Sequence, residues 1–133
     1  MNENDISFDV RKSAFKVHTA LGPGLLESVY EVALAYELRQ LGYTVRSQVP
    51  LPMIYADQRM DVGFRLDLLV EDRVIVEIKS VDTLLDVHHK QLLTYLKLSD
   101  CKLGLLINFN VARVKEGIIR IVNGFDDSQR TSA

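Results

Sequence analysis

The sequence predicts an α/β (α+β) fold in which a mixed β-sheet is flanked by helices. Apolar residues recur at helical spacing in the first third of the chain and again at Leu84–Leu98. The region between them consists of short apolar runs bounded by turn residues, which is typical of strands. A further apolar run, Lys102–Asn108, follows the last helix, and a strand in that place favours a mixed sheet with helices packed against it.

Two helices are predicted near the N-terminus. Apolar side chains at intervals of three and four residues predict a first helix over Ile6–Leu21. The run Gly22-Pro23-Gly24 then interrupts the helical pattern. The same spacing predicts a second helix over Leu26–Leu41, with Gly42 as its C-terminal cap.

Four strands are predicted between the second and third helices. Tyr43–Val49 alternates loosely, and Leu51–Tyr55 continues it as an edge strand or hairpin, because the flanking prolines limit ladder hydrogen bonds. Residues 56–59 are turn-like. Phe64–Val70 and Arg73–Val81 are separated by a tight turn and are expected to form a hairpin.

The remaining elements are a helix over Leu84–Leu98 and strands over Lys102–Asn108 and Ile118–Val122. The predicted order is therefore α-α-β-β-β-β-α-β-β. The length fits a single domain, which we place at residues 5–124, followed by a disordered tail over residues 125–133.

Composition excludes several classes of protein. The chain has 133 residues, of which 47% are hydrophobic and 26% charged, as in an ordinary globular domain. A net charge of -2 argues against a protein that coats nucleic acid by bulk electrostatics, although a cleft can still be locally basic. The N-terminus lacks an apolar signal core, no run reaches the ~18 apolar residues of a membrane span, and Cys101 is alone. A cytoplasmic protein without membrane contact is expected.

The stretch Phe64 to Lys79, FRLDLLVEDRVIVEIK, carries charges inside two apolar runs. Burying such charges is costly unless they are neutralised, paired or bound to a metal. Glu77 and Lys79 are two residues apart and share one face of a strand, and Asp67 can lie beside Glu77 across the hairpin. Two carboxylates with an ammonium beside them predict a Mg²⁺ (or Mn²⁺) site that cleaves phosphodiester bonds.

Three motifs occur in order along the chain. The segment Gly24-Leu25-Leu26-Glu27-Ser28-Val29-Tyr30 has the pattern G-x-x-E-x-x-Y, Asp67 precedes Glu77-Ile78-Lys79, and Gln91 and Tyr95 share one face of the third helix. Together they resemble the PD-(D/E)XK nuclease superfamily, and within it the GxxExxY family of small prokaryotic proteins. One departure is that Arg65-Leu66 stand where a proline often precedes the aspartate.

The resemblance implies a role for each residue of these motifs. Asp67 and Glu77 would hold the metal ion, and Glu27 would complete its site directly or through water. Lys79 would position or activate the attacking water. Gln91 and Tyr95 would orient Lys79 or the substrate phosphate.

Gly24 and Tyr30 are the candidate substrate-binding residues. Gly24 would let the substrate backbone approach closely, although the glycines there could simply end a helix. Tyr30 would pack its ring in the core and could aim its hydroxyl at Glu27.

The substrate implied by the resemblance is nucleic acid, either DNA or RNA. A second hypothesis is a catalytically silent module that keeps the nuclease fold and serves binding or regulation, which suits the small size and acidic charge. A third is a small enzyme acting on nucleotides or RNA ends. For Asp67, Glu77 and Lys79 the alternative is a cross-strand salt-bridge cluster on a solvated face. The edge at Leu51–Tyr55 could support a homodimer.

Overall fold

A computed structural model of the chain describes residues 2–61 and 63–124. Within these residues the protein contains three α-helices, which are α1 (Glu3–Leu21), α2 (Glu27–Gln40) and α3 (Asp86–Ser99). Seven strands and one short 3₁₀ helix complete the described fold: β1 (Val45–Pro50), β2 (Met53–Tyr55), β3 (Gln58–Met60), β4 (Arg65–Val70), β5 (Val74–Lys79), β6 (Leu103–Asn108), the 3₁₀ helix (Val114–Gly117) and β7 (Ile118–Val122). The predicted α+β class is confirmed.

The main sheet is mixed and has the strand order β1-β4-β5-β6-β7. β5 and β6 run parallel, with Glu77 opposite Leu106 and Lys79 opposite Asn108, because α3 returns the chain to the same end of the sheet. The other neighbours pair antiparallel. The strand after the third helix therefore makes the sheet mixed, as predicted.

Helices cover both faces of the sheet. One core joins α1 and α2 to the side chains of β5 at Val74, Val76 and Ile78. A second core joins α3 to the opposite face, where Ile75 is buried. Because successive side chains of a strand point to opposite faces, Glu77 belongs to the same face as Ile75. Val76 and Ile78 therefore point into the core on the opposite face from Glu77.

The structure adds one strand to the predicted order. Residues 56–59, predicted only as a turn, include the start of β3, which pairs with β2 in a separate two-stranded sheet. Ala56 and Asp57 have positive φ values of 51° and 60°, which is the geometry of a two-residue hairpin turn. Within the described residues the order is therefore α-α-β-β-β-β-β-α-β-β, and Leu51–Tyr55 contributes to a hairpin rather than to β1.

The ends of the first two helices are set by local hydrogen bonds. α1 begins before the predicted Ile6 because Asn2 and Asp5 form a capping box, each side chain accepting the other's backbone N–H at 2.9 and 3.1 Å. α2 ends at Gln40, and Gly42 lies just beyond its C-cap Leu41 with a φ of 94°.

Two sequence predictions meet the limits of the described residues. The tail predicted to be disordered, residues 125–133, lies outside them, and the domain bounds stay a prediction. Among the helices of the described ranges, none has both the length and the hydrophobicity needed to cross a bilayer.

Candidate active site

Asp67 lies where the pairing of β4 with β5 has ended and its pairing with β1 is interrupted. Pairing of β4 with β5 covers only Leu68 to Val70, and the β1–β4 ladder omits the pair between Gln48 and Asp67. The side chains of Asp67 and Glu77 replace the missing backbone bonds. The Asp67 N–H donates to Glu77 Oε2, and the Ile78 N–H donates to Asp67 Oδ2, both at 2.8 Å. The two carboxylates are therefore interlocked across the hairpin, as the strand register predicts.

One oxygen of each carboxylate is left for other contacts. Glu77 Oε1 accepts no hydrogen bond from the described residues, and Asp67 Oδ1 has only a long contact of 3.5 Å with Gln48 Nε2. Since the other two oxygens are fixed by backbone N–H groups, the remaining pair is held in a defined orientation. Such an arrangement can present two carboxylate oxygens to one hard cation.

Glu77 is buried, with 5% of its surface exposed. Burial first and the charge of Asp67 second raise the pKa of Glu77 to about 8, although the Asp67 N–H and the Lys79 charge oppose the rise. Burial likewise raises the pKa of Asp67. Burial disfavours the ionised forms of both carboxylates, which is typical of a site that binds a cation or holds a proton.

Lys79 lies near both carboxylates without being tied to either. Its charge lowers the pKa of Asp67 and of Glu77, yet among the described residues neither acid forms an ion pair with it within 4.0 Å. Its backbone carbonyl accepts the Phe109 N–H at 2.9 Å, which fixes the end of β5. A solvated cross-strand salt-bridge cluster, the alternative for these three residues, does not describe the arrangement, because Glu77 is buried and, among the described residues, neither acid is ion-paired with Lys79.

Glu27 reaches the same end of β5 from the first turn of α2. Its Oε1 accepts the Ser80 N–H at 3.4 Å, directly after Lys79 in the chain, and its charge contributes to the raised pKa of Asp67. The Ser80 hydroxyl donates to the Leu25 carbonyl at 2.7 Å, which joins the loop before α2 to the end of β5. The structure thus places Glu27 at the end of β5, within electrostatic reach of Asp67.

Sequence reasoning missed two polar residues beside Asp67. The Gln48 amide, on β1, donates to Glu31 Oε1 at 2.6 Å and lies 3.5 Å from Asp67 Oδ1. Burial is the main cause that raises the pKa of Glu31, and the charges of Asp67 and Glu27 raise it further, whereas the hydrogen bond from Gln48 opposes the rise. The spacing of Glu27 and Glu31, one helical turn apart, is a signal that could have found Glu31.

Gln48 also has an unusual backbone. Its φ is 54° inside a strand, a left-handed conformation that costs a non-glycine residue about 1–3 kcal/mol. No sequence pattern indicates such a conformation, because Gln48 stands in a stretch that otherwise alternates like a strand.

Tyr95 and Gln91 differ in their surroundings on α3. Tyr95 is 6% exposed, its ring centroid is 6.1 Å from that of Phe64, and burial followed by the charges of Glu77 and Asp67 raises its pKa. Gln91 is exposed, and its side chain makes no hydrogen bond to any described residue. Tyr95 is therefore the member of this pair that interacts electrostatically with Glu77 and Asp67.

Tyr30 is a core residue, and its predicted direct contact with substrate needs correction. Its side chain is 0% exposed, and its ring stacks on Phe109 with centroids 4.5 Å apart. Its hydroxyl donates to the Gly22 carbonyl at 2.5 Å and accepts the Leu25 N–H at 3.1 Å, so it does not point at Glu27. Tyr30 therefore holds the loop that leads into α2.

Gly24 lies in that loop with an exposed surface and a φ of 93°. It borders an open cavity of about 520 Å³, together with three apolar side chains, Leu25, Leu26 and Val29, and with the polar residues Ser80 and Asn110. The space beside Gly24 is compatible with the predicted approach of a substrate backbone, which stays a prediction.

Replacing Tyr30 by phenylalanine should destabilise the protein by about 1–3 kcal/mol, because the Gly22 carbonyl and the Leu25 N–H both lose their partner. Urea denaturation of the wild type and the variant measures this change. Tyr36→Phe, on an exposed part of the same helix, is the matched control and should change stability little. Equal stability of the Tyr30 variant and the wild type would contradict the anchoring role.

The donor set fits a hard divalent cation that keeps most of its ligands as water. In the described ranges, no group of three or more His, Cys, Asp or Glu side chains is arranged to hold a metal ion. Mg²⁺ needs fewer, since it is commonly bound by one or two carboxylates together with water and substrate phosphates. Asp67 and Glu77 meet that requirement.

Comparison with known proteins identifies the family. A family model described as PD-(D/E)XK nuclease superfamily matches residues 4–121. No curated protein gives a significant match, and no solved structure does. The matched region includes every predicted site residue, from Gly24 to Tyr95.

Proposed function

Because the chain belongs to the PD-(D/E)XK nuclease superfamily, we propose that it hydrolyses phosphodiester bonds of nucleic acid with the help of Mg²⁺ or Mn²⁺. The observation that carries the proposal is the interlocked pair of Asp67 and Glu77 at the opening of the β-ladder, with Lys79 beside it. The motif Gly24 to Tyr30 further supports membership of the GxxExxY family. The cytoplasm is the expected compartment, and the edge at Leu51–Tyr55 would be the contact surface of a homodimer.

The proposed roles follow from the atoms that remain available. Asp67 Oδ1 and Glu77 Oε1 would hold the cation, and Glu27 would support it from α2, directly or through water. A bound divalent cation stabilises negative charge that develops on a phosphoryl oxygen. Lys79 would donate to the attacking water or to the phosphate and keep it oriented. Gln91 and Tyr95 would orient Lys79 or the substrate phosphate from the α3 side.

The electrostatics favour a metal-using enzyme over a silent binding module. Burying Glu77 next to Asp67 disfavours the doubly ionised pair, since burial and the neighbouring charge raise the pKa of Glu77 to about 8 and, among the described residues, neither acid forms an ion pair within 4.0 Å. A module that only binds a partner has no need of this arrangement. A metal-dependent enzyme needs this arrangement, because the carboxylates of Asp67 and Glu77 attract the cation.

Calorimetric titration with Mn²⁺ tests the proposal on the wild type and on Asp67→Asn. The wild type should bind, and the variant should bind at least ~10-fold more weakly because one ligand has lost its charge. Asp61→Asn is the matched control, since Asp61 is exposed and paired with Arg59 at 3.2 Å. Failure of the wild type to bind either Mn²⁺ or Mg²⁺ would favour the silent module.

Cleavage of a labelled panel then identifies the substrate. Duplex DNA, single-stranded DNA, RNA and free nucleotides are incubated with the wild type in Mg²⁺, in Mn²⁺ and in EDTA. We expect cleavage of at least one nucleic acid that depends on the metal and is lost in EDTA. Activity confined to nucleotides or RNA ends would support the third hypothesis instead.

A further inference from the structure

Gln48 occupies the one position where the β1–β4 ladder is interrupted inside the described strands. Ser47 pairs with Leu68 and Val49 pairs with Leu66, so Gln48 lies opposite Asp67 although the two are not paired. The interruption coincides with its φ of 54°. Glycine would adopt this φ at a lower cost, so the backbone conformation alone does not explain a glutamine here.

The contacts of the Gln48 side chain explain why a glutamine occupies this position. Its amide nitrogen donates to Glu31 at 2.6 Å and lies 3.5 Å from Asp67, so one amide bridges α2 and β4. Among the described residues, Gln48 is the only side chain that hydrogen-bonds either of these two carboxylates. It therefore holds together two acidic groups that would otherwise repel each other.

A neutral donor is the suitable group for this task. A lysine or arginine at the same place would neutralise the carboxylates and compete with an incoming cation, whereas a carboxylate would add repulsion. An amide orients both acids through its N–H groups and leaves their negative charge intact. Hydrogen bonds of this kind, one shell away from a metal, orient the ligands and affect metal affinity.

We propose that Gln48 is a positioning residue, which links Glu31 to Asp67 and orients Asp67 for the cation. The inference rests on the proposed function, because it assigns Asp67 as a metal ligand. The left-handed backbone of Gln48 is the means by which a residue of β1 directs its amide between α2 and β4. Glu31 acts through Gln48 and supports the same orientation.

Two substitutions separate the amide from the backbone. Gln48→Gly removes the side chain and relieves the left-handed strain, whereas Gln48→Asn tolerates positive φ but has a side chain one methylene shorter. Ala56→Gly is the matched control, since Ala56 also has a positive φ, 51°, in the turn between β2 and β3. The wild type, the two Gln48 variants and the Ala56→Gly control are compared in thermal stability, Mn²⁺ affinity and cleavage kinetics.

We expect Gln48→Gly to be at least as stable as the wild type and yet to bind Mn²⁺ ~10-fold more weakly, with the loss of cleavage mainly in kcat. Gln48→Asn should show the same loss. The Ile78 amide, which donates to Asp67 Oδ2, should exchange with solvent several-fold faster in both variants. Ala56→Gly should match the wild type in metal affinity, kcat and Ile78 exchange.

The outcomes are distinguishable from failure of the proposed function. If the wild type neither binds metal nor cleaves, the proposed function fails, and Ile78 exchange alone decides whether Gln48 orients Asp67. Wild-type metal affinity and wild-type Ile78 exchange in both variants would overturn the positioning role. Weaker metal binding with unchanged Ile78 exchange would also overturn the positioning role, because it indicates that Gln48 contacts the metal directly. A loss of thermal stability in both variants would overturn it as well, because it indicates a structural role.

Discussion

Replacing Glu77 by glutamine is expected to stabilise the metal-free protein at pH 8 and to abolish its cleavage activity. Glu77 is buried next to Asp67, and its pKa is raised from 4.5 to about 8. Between these values the folded protein holds a proton that the unfolded chain has released. The contribution of Glu77 to stability is therefore greatest below pH 4.5 and falls as the pH rises to 8.

The size of the effect follows from the width of this window. Each unit by which the pKa is raised corresponds to about 1.4 kcal/mol in the free energy of unfolding. Relative to Glu77→Gln, the wild type should therefore lose about 1.4 kcal/mol for each pH unit within the window, or a few kcal/mol in all. Asp67, whose pKa is also raised by burial, contributes in the same direction. Glutamine keeps a side-chain oxygen that can accept the Asp67 N–H, so the interlocked contact survives in the variant.

Urea denaturation of the wild type and Glu77→Gln between pH 5 and pH 8, in EDTA, measures this difference in the free energy of unfolding. The curves should diverge as the pH rises. Added Mg²⁺ should stabilise the wild type more at pH 8 than at pH 5, because the cation favours the ionised carboxylates. Glu37→Gln is the control, since Glu37 is a partly buried carboxylate that is ion-paired with Lys16 at 3.0 Å. Parallel curves for Glu77→Gln and the wild type would show that Glu77 is not buried in the way described.

Replacing Lys79 by alanine is expected to lower metal-dependent cleavage by about 10²–10⁴-fold, the usual contribution of a positioned acid, base or charge donor. Metal affinity should not fall, because Lys79 carries the same charge as the cation and is not paired with Asp67 or Glu77. The combination of retained metal binding and lost cleavage distinguishes a role in the reaction from a role in building the metal site.

Steady-state kinetics together with Mn²⁺ titration tests the Lys79→Ala variant. Lys90→Ala is the matched control, since Lys90 is an exposed lysine of α3 and should leave both quantities unchanged. Undiminished cleavage by Lys79→Ala would remove Lys79 from the proposed mechanism. Loss of metal binding in this variant would assign it to the metal site instead.

The sequence predicted the β4–β5 hairpin and its paired acids correctly because the information is local. Alternation along a strand places Glu77 on the face opposite Val76 and Ile78, and the positive φ values of Glu71 and Asp72, 54° and 53°, complete the tight turn that was expected. Once the turn is fixed, the register brings Asp67 beside Glu77. The helices were predictable for the same reason, since their apolar spacing records which side faces the sheet.

Other features depend on how neighbouring segments pack against each other, which the pattern of a single segment does not record. The Tyr30 hydroxyl could have pointed at Glu27, and only the folded loop shows that it holds Gly22 and Leu25. The strand β3 was missed because it has no core to bury and depends on its partner β2. In both cases local preference left two conformations open.

By itself, the sequence determined the α+β class and the mixed sheet flanked by helices, and it pointed to Asp67, Glu77 and Lys79 as charged residues inside apolar strands. Periodicity and residue spacing encode these features within short segments, whereas Glu27 was found through the resemblance to the superfamily. Only the tertiary structure decided that the ladder opens at Asp67, that Glu77 is buried there, and that Gln48 joins Glu31 to Asp67. Burial, pKa shifts and a left-handed residue inside a strand arise from the approach of α2, β1 and β4, and no local pattern encodes that approach.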